Sequence, residues 1–379
     1  MSVFDATSGV SYSTLSDAIS HSIANDVIQL SAGTHTENFP SITDSLTIES
    51  VGGMAYLSNP WLDKLDYPAS NNRAVINVPA NWNVNLTLRG LDISGAVNDV
   101  HNPPAGGGAN GAGVLFETGN GALLIDSSHI HHNEDGVLVG ATATGHPKET
   151  VTITNSEIDH NGASIGNADA ASMRAGRDHN IYIGDVTQFT LTNSYIHDAL
   201  DQGHEIKSRA QATTITNNQI FDNSSNASYE IDLPNGGQAL VQGNIIGKGH
   251  DSVQNAVVDC GAEGSYTGSE LTFTGTTVIN DAAHLGSPTL MYNWCATTVS
   301  ANQLFGLFNL GENKVSTASL TTLNNQMQPL TSAPALDTNS PFVPQAAPEP
   351  DAFGLVLTSL LAMATLRRRR RSLSIMAGR

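Results

Sequence analysis

Three segments of this chain place acidic, basic and amide side chains at one regular spacing. They read HNIYIGD, HEIKSRA and YEIDLPN, and their isoleucines Ile181, Ile206 and Ile231 are separated by 25 residues at each step. If these isoleucines point inward on stacked strands, the residues on either side of them point outward. Carboxylates, amides and a lysine gathered in this way are the groups that acid–base catalysis and divalent-cation binding use.

The predicted outward residues form two columns. The first column contains Asn180, Glu205 and Glu230, and the second contains Tyr182, Lys207, Asp232 and Asp259. Arg209 lies two positions beyond Lys207 on the same predicted face. Because adjacent strands are about 4.8 Å apart, the columns predict one polar patch. The alternative is a solvated sheet on which Lys207 only bridges to Asp232 and Glu205, since exposed ion pairs contribute about 0–1 kcal/mol.

The elements that must position this patch are strands of a repeating fold. Ile196, Ile220 and Ile245 recur at a similar period, and the segments alternate at period two and are rich in Ile, Val and Thr. Asparagines that can satisfy turn backbone groups fall at bends before such strands, namely Asn155, Asn193, Asn217 and Asn244. The long fixed period predicts a solenoid in which each repeat adds one coil. We predict one such domain over residues 1–330, interrupted by loops at His101–Gly113 and Ala141–Arg177.

The N-terminal residues indicate a particular class of solenoid. Tyr12–Ser50 begins with one short amphipathic helix, for which Ser13 is the predicted N-cap, and then changes to strands. This order resembles the capping helix and first coil of right-handed parallel β-helix proteins, the pectin-lyase-like class. The resemblance covers about Tyr12 to Leu330. It implies an all-β, single-stranded, right-handed parallel β-helix whose N-terminal helix covers the open end of the core.

The C-terminal residues resemble a sorting signal. Pro348-Glu349-Pro350 precedes the 15-residue apolar run Ala352–Leu366, which five arginines follow. This order resembles the PEP-CTERM signal, which an exosortase recognises in bacteria that make exopolysaccharide. As a helix the run spans about 22 Å, against a hydrocarbon core of about 30 Å, so we expect transient membrane association through this helix. A plain tail anchor is the alternative. We assign 331–347 to a linker, 348–371 to the sorting signal and 372–379 to a basic tail.

Export implies a signal peptide, yet residues 1–30 contain no Lys or Arg and no apolar core segment. We expect the natural start to lie upstream; export by another route is the alternative. Without residues 351–379 the chain has 10 basic and 34 acidic residues, a net charge of −24. This charge argues against a nucleic-acid partner. It suits a soluble secreted protein that binds neutral glycans, or anionic glycans through divalent cations. We expect an exported monomer at the cell surface, the outer membrane or the extracellular matrix. Cys260 and Cys295 either bridge adjacent coils or remain two buried thiols.

The segment His204-Glu205-Ile206-Lys207-Ser208 resembles part of the chondroitinase B and alginate lyase family, whose members are β-helices. In that family an Asn one coil earlier and a Glu before the Lys hold Ca²⁺, and the Lys is the catalytic base. Asn180, Glu205 and Lys207 match these positions, and Glu230 is a further candidate ligand. The resemblance implies a polysaccharide lyase, in which Ca²⁺ neutralises a uronate carboxylate so that a proton can leave carbon 5.

The match departs from the family at the next coil. Where the family has an Arg-His-Gly segment with a catalytic Arg, this chain has Asp232-Leu233-Pro234-Asn235. Arg209 or His204 is the candidate replacement, and Asp232 is a further catalytic candidate. The polysaccharide itself is expected to contact aromatic and polar residues around the patch, namely Arg177, His179, Tyr182, Tyr229 and Asn235.

Other interpretations of these residues remain open. Asp232 with Asp259 or Glu230 could supply the two carboxyl groups of a glycoside hydrolase. The patch could also bind exopolysaccharide without chemistry. His129 and His131 alternate onto one face, as zinc ligands can, although histidines in such repeat-derived segments are more often structural. Glu263 and His250 are placed at the rim of the same groove by their position alone.

Overall fold

The computed structural model describes residues 2–59, 73–80, 82–97, 111–140, 149–162, 164, 175–264 and 266–336, and the fold within them is all-β. Two single-turn 3-10 helices, Ala283–Leu285 and Leu330–Ser332, accompany one α-helix. In the described part of the chain, no helix is long and apolar enough to cross a membrane. The predicted sorting signal and basic tail lie outside the described residues, as do residues 337–347 of the predicted linker.

The N-terminal part contains the only α-helix of the described ranges. Its elements are β1 Val3–Asp5, β2 Val10–Tyr12, α1 Leu15–His21, β3 Asp26–Thr36 and β4 Leu46–Ser58. Strand β1 pairs antiparallel with β2 and β3, whereas β3 and β4 pair in parallel. The N-cap of α1 is Thr14, whose side chain accepts a hydrogen bond from the Asp17 N–H, so the predicted N-cap Ser13 is wrong by one residue. Leu15 and Ile19 bury the apolar face of α1 in the core.

After β4 the chain repeats a unit of three strands per coil. In chain order these strands are β5 Ala74–Val78, β6 Asn85–Arg89, β7 Leu91–Ser94, β8 Ala112–Phe116, β9 Ala122–Asp126, β10 His129–His131, β11 Asp135–Val139, β12 Thr150–Thr154, β13 Glu157–Asp159, β14 Ile181–Ile183, β15 Gln188–Thr192, β16 Tyr195–His197, β17 Ile206–Ser208, β18 Ala212–Thr216, β19 Gln219–Phe221, β20 Ile231–Leu233, β21 Gln238–Gln242, β22 Ile245–Lys248, β23 Ala256–Cys260, β24 Glu270–Thr274, β25 Thr277–Asn280, β26 Thr289–Asn293, β27 Ala296–Ser300, β28 Gln303–Phe305, β29 Glu312–Asn313, β30 Ser319–Leu323 and β31 Gln326–Gln328.

The three strands of each coil lie in two long sheets. The first strand of every coil, from β5 to β29, belongs to a parallel sheet of nine strands within the described residues, here called sheet I. The second and third strands form two parallel columns of a larger sheet, sheet II, which β1 to β4 join at one end. Each strand pairs with its counterpart one coil away, so the predicted solenoid-like stack of strands is confirmed. The predicted loop Ala141–Arg177 is partly wrong, because β12 and β13 lie within it.

The apolar column that the 25-residue spacing predicted is present in the core of sheet I. Ile181, Ile206 and Ile231 are register partners on β14, β17 and β20, and all three are fully buried. In the second column of sheet II, Ile196 and Ile220 are partners as predicted, but the next member is Ile246. The predicted Ile245 instead faces outward and is 40% exposed. The core therefore continues through the coils as stacked columns of aliphatic side chains.

The turn between the two columns of sheet II carries two stacked polar positions. At the first, Asn155, Asn193 and Asn217 have φ between 49° and 58°, a left-handed conformation that asparagine tolerates well. At the second, Ser194 N–H donates to Asn218 Oδ1 and Asn218 N–H donates to Asn244 Oδ1, each at 2.9 Å. Asn244 therefore belongs to the second position, one residue later than predicted. Glycine takes the left-handed position in its coil, as Gly243.

The two cysteines form a disulfide bond, which decides between the two alternatives that the sequence left open. Cys260 ends β23, and Cys295 lies in the turn between β26 and β27, with the two Cα atoms 6.0 Å apart. The bond therefore links one coil to the next, and it starts at the residue that directly follows Asp259 on β23.

Candidate functional site

The outer face of sheet I carries one column of polar and aromatic side chains in register. Tyr182 pairs with Lys207, Lys207 with Asp232, and Asp232 with Asp259, as the spacing predicted. The strands supply this order because their inward neighbours, such as Ile206 and Ile231, are held in the core. Three kinds of side chain, one of them present twice, thus occupy one position of four successive coils.

Lys207 lies at the centre of this column and is paired with two acids. Its Nζ is 2.8 Å from Asp232 Oδ2 and 3.1 Å from Glu263 Oε1. Lys207 is only 8% exposed, and although burial opposes its charge, the two acids raise its pKa. A lysine with a raised pKa stays protonated at neutral pH, so this arrangement supports a positive charge at Lys207 and disfavours its predicted role as a base.

Arg209 extends the positive charge along the same face. Its Nε donates to Tyr182 Oη at 3.0 Å, Nη1 donates to Asn235 Oδ1 at 2.6 Å, and Nη2 donates to Glu263 Oε2 at 2.6 Å. Glu263 therefore joins Lys207 and Arg209, which places it at the site as the sequence suggested. The Arg209 and Lys207 charges hold the pKa of Glu263 below its usual range, although burial opposes this.

Three rings form a stack beside the charged column. His204 lies between His179 and Tyr229, with ring centroids 4.7 and 5.6 Å away. The backbone N–H of His204 donates to the ring nitrogen Nδ1 of His179 at 3.0 Å. The ring nitrogen Nδ1 of His204 lies 3.6 Å from Asp232 Oδ2. Within the described residues His204 Nδ1 has no hydrogen-bond partner. Burial, followed by the nearby cations, lowers the pKa of both histidines well below the usual value, so both are neutral.

The two aspartates of the column have different surroundings. Burial raises the pKa of Asp232, but the adjacent Lys207 ammonium opposes that rise. Burial and then the Asp232 charge raise the pKa of Asp259 to about 7. Among the described residues, Asp259 Oδ2 has no hydrogen-bond partner, whereas Oδ1 accepts from the Ala262 N–H at 3.3 Å. Both aspartates therefore have raised pKa values, that of Asp259 about 7, and Asp232 alone of the two has an adjacent ammonium at 2.8 Å that favours its ionised form.

The predicted outward column of Asn180, Glu205 and Glu230 is wrong. All three residues are fully buried, one position before the strands, where the bend of the chain reverses the alternation. Asn180 Nδ2 donates to Glu205 Oε2 at 2.5 Å, and Glu205 Oε1 accepts from the Ala199 N–H at 2.7 Å. These side chains therefore lie on the opposite side of the backbone from Lys207.

The buried residues do not fit Ca²⁺. An amide nitrogen, which cannot ligate a cation, faces Glu205, and the Lys248 ammonium lies 3.5 Å from Glu230 Oε1 and donates to Ser228 O. Burial raises the pKa of Glu205 and of Glu230 well above the usual value and lowers that of Lys248. The lysine thus occupies the place in which a cation would compensate the acids, so the residues present do not fit a divalent ion.

The remaining predicted residues lie at the edges of the site or away from it. Arg177 is exposed in the turn that precedes His179. His250 forms a ring pair with His284 at 5.0 Å. Tyr266, which the sequence did not single out, has its Oη 2.7 Å from Asp185 Oδ1 and 2.9 Å from Arg209 O, so its one hydroxyl proton can be donated to either oxygen. It comes from a connection between β23 and β24 that breaks the repeat, so no periodic signal could have located it.

Comparisons with known proteins identify no family for this chain. No family model and no curated protein matches it. Among solved structures, it is similar to the crystal structure of Escherichia coli ybhc, with 12% sequence identity over 85% of this chain and 83% of that chain and a TM-score of 0.37.

Proposed function

We propose that this protein is an exported, carbohydrate-active protein of the right-handed parallel β-helix class, and that it hydrolyses a polysaccharide on the outer face of sheet I. The stacked parallel strands support that fold class. β-Strand solenoids present long, flat faces on which an extended polymer can lie, which supports a polysaccharide as the ligand. The resemblance of the C-terminus to a PEP-CTERM signal supports exosortase-dependent sorting to the surface of a cell that makes exopolysaccharide.

The observation that carries the proposed chemistry is the pairing of Asp232 with Asp259. Glycoside hydrolysis needs one protonated and one ionised carboxyl group, and environments that push two pKa values apart assign these roles. Asp259, with its pKa of about 7, is the proton donor to the departing sugar oxygen. Asp232, beside the Lys207 ammonium, is the carboxylate that either attacks the anomeric carbon of the sugar or activates a water molecule. Neighbouring strands are about 4.8 Å apart, close to the ~5 Å of hydrolases that retain configuration.

The surrounding residues suit a sugar polymer that carries negative charge. Lys207 and Arg209 provide positive charge, and Tyr182 and Tyr229 offer ring faces or edges beside it. The half-exposed Glu263 side chain lies over both cations and is the group that an incoming uronate or sulfate would displace. A polymer with anionic groups is therefore the proposed substrate class.

The test is a panel of uronate-containing and neutral polysaccharides incubated with the purified chain, with wild type, Asp259→Asn and Asp232→Asn compared. New reducing ends that lack an unsaturated uronate, and that both substitutions reduce by at least a hundredfold, support hydrolysis. Asp251→Asn, at an exposed acid away from the column, is the matched control and keeps wild-type turnover. Binding of a glycan by all four proteins without any product contradicts the enzymatic proposal and favours a matrix-binding protein.

A second candidate is elimination, and the neutral His204 favours it. An imidazole whose Nδ1 lacks a hydrogen bond within the described residues can accept a proton from carbon 5, while Arg209 and Lys207 neutralise the uronate carboxylate in place of Ca²⁺. The same panel separates the two reactions, because elimination creates an absorbing double bond and hydrolysis does not. The His204→Gln variant then loses the absorbing product, and chelator leaves its formation by the wild type unchanged.

A further inference from the structure

A second cluster of chemically capable side chains lies on the outer face of sheet II, in the column formed by β7, β10 and β13. Asp92 and His129 are register partners on β7 and β10, and Glu157 is the partner of His129 on β13. His131 follows His129 by two residues, so both imidazoles project from the same face. Ile93, Ile130 and Ile158 occupy the alternate positions and are fully buried, which fixes the orientation of this face.

Three side chains of this cluster converge on one point. Asp92 Oδ1 is 3.1 Å from His131 Nε2, and Asp92 Oδ2 is 3.4 Å from His129 Nδ1. The two imidazole rings stack at a centroid distance of 4.1 Å, and one donor atom from each residue lies within 4.8 Å of the other two. The side chains are between 11% and 24% exposed, so an ion could reach them while much of their hydration is already lost.

The second nitrogen of each imidazole is also held. His129 Nε2 is 2.6 Å from Asp159 Oδ1, and His131 Nδ1 is 2.7 Å from His132 Nδ1. Metal-bound histidines characteristically donate their other ring N–H to a carboxylate or another acceptor, which orients the ring and raises its basicity. Here both rings have that partner in place.

We propose that Asp92, His129 and His131 bind a divalent transition-metal ion of the Zn²⁺ type, with Asp159 and His132 as orienting partners. Two imidazole nitrogens and one carboxylate oxygen are donors that Zn²⁺, Co²⁺ and Ni²⁺ accept readily, whereas Ca²⁺ and Mg²⁺ prefer oxygen alone. Water or a group from a bound molecule completes the coordination. The proposal is independent of the hydrolase site on sheet I.

A neighbouring group requires a separate assignment. Asp159, His160 and His197 also bring donor atoms within 4.8 Å of one another, and Asp159 Oδ2 is 2.5 Å from His160 Nδ1. Because Asp159 already holds His129 through its other oxygen, we assign it to the support of the first site. The experiment must therefore distinguish ligation by His131 from ligation by His160.

The test is metal uptake by the full chain, stripped with chelator and titrated with Zn²⁺, and with Co²⁺ as a spectroscopic probe. We expect one tightly bound ion, Co²⁺ absorption bands of nitrogen and oxygen coordination, and a rise in Tm on Zn²⁺ addition. His131→Ala is expected to raise the Zn²⁺ Kd by at least about a hundredfold, and Asp92→Asn is expected to raise it by at least about tenfold. Asp159→Asn, which removes an orienting partner only, raises it about ten- to a hundredfold with the bands retained.

His160→Ala and the exposed helix residue variant His21→Ala are the controls, and both keep the wild-type Kd within a few fold. Circular dichroism and the metal-free Tm establish that each variant is folded. The proposal is overturned if the folded His131→Ala protein binds Zn²⁺ as tightly as the wild type, or if the wild type takes up no ion. Loss of the Co²⁺ bands in His160→Ala but not in His131→Ala also overturns it, because the ion then lies on the other cluster.

Discussion

Asp232 and Asp259 lie opposite each other on the adjacent strands β20 and β23, and one of them is paired with Lys207 while the other lacks a hydrogen bond to Oδ2 within the described residues. Two residues that are identical in type and equivalent in the repeat therefore differ in their charged neighbours. The Lys207 ammonium opposes the rise in the pKa of Asp232, whereas the Asp232 charge adds to the rise in the pKa of Asp259.

The activity of the protein is expected to fall as pH rises through the pKa of Asp259. That pKa is about 7, so the protonated form that donates to the leaving oxygen is lost above neutral pH. In the wild type, kcat/KM for the best substrate of the polysaccharide panel then decreases about tenfold for each pH unit above 7. A profile that stays flat to pH 9 would show that Asp259 is not the acid.

Replacing Glu149 by Gln is expected to stabilise the protein at alkaline pH and to change little in acid. Burial and then Glu117 raise the pKa of Glu149 to about 8, from 4.5 in an unfolded chain. A raised pKa contributes stability that is fully present below pH 4.5 and is lost as pH rises through 8. The introduced glutamine does not titrate, so the variant loses no stability over this range. The difference in free energy of unfolding between variant and wild type therefore grows by a few kcal/mol from pH 4.5 to pH 8, and the difference in Tm grows with it.

Glu270→Gln is a suitable control for that series, because Glu270 is exposed on β24. Its Tm should follow the wild-type Tm at every pH. If Glu149→Gln shows the same small difference at pH 4.5 and pH 8, the Glu149 carboxyl is not held in its neutral form by the fold.

Lys248→Met is expected to destabilise the fold by about 3–5 kcal/mol. It removes the ammonium that lies beside Glu230 in the core and leaves buried acids without compensation. The double variant Lys248→Met with Glu230→Gln removes both partners and should recover part of the loss. Chemical denaturation of the four proteins gives the coupling free energy. A double variant whose loss equals the sum of the losses in Lys248→Met and Glu230→Gln would show that the two side chains act independently.

Reduction of the disulfide between Cys260 and Cys295 is expected to lower the free energy of unfolding by about 3–4 kcal/mol, since the bond closes a loop of 35 residues. The paired variant Cys260→Ser with Cys295→Ser should show the same loss without a reducing agent. Because Cys260 follows Asp259 directly, the paired variant should also turn over substrate more slowly. Equal Tm values for oxidised and reduced wild type would contradict the prediction.

Much of the strand order could be predicted from sequence because buried positions in a stack must repeat. Ile181, Ile206 and Ile231 share one environment and lie in coils of equal length, so the partners of Lys207 on sheet I follow directly from their spacing, although other coils of this sheet differ in length. The same argument failed at Asn180 and Glu205. Period-two alternation holds only inside a strand, and both residues lie one position before it, in a bend that turns their side chains inward.

The contacts made by side chains from outside the repeat were the least predictable. Glu263 reaches both Lys207 and Arg209 from a connection between strands, and Tyr266 reaches Asp185 across 81 residues of sequence. A non-repeating connection has no equivalent in neighbouring coils, so the spacing of the repeat does not predict which residues its side chains contact. The spacing did predict that Asp232, the register partner of Lys207, raises the pKa of this lysine, whereas the second acid, Glu263, comes from such a connection and could not be located from the strand pattern.

The equivalence of the inward residues has a consequence for how this surface can change. Ile181, Ile206 and Ile231 are interchangeable in the core, whereas Tyr182, Lys207 and Asp232 at the neighbouring position are all different. Loss of the 25 residues of one coil would leave the aliphatic column continuous and bring Tyr182 beside Asp232. Gain or loss of whole coils can thus rewrite the order of chemical groups on sheet I without a new core being built.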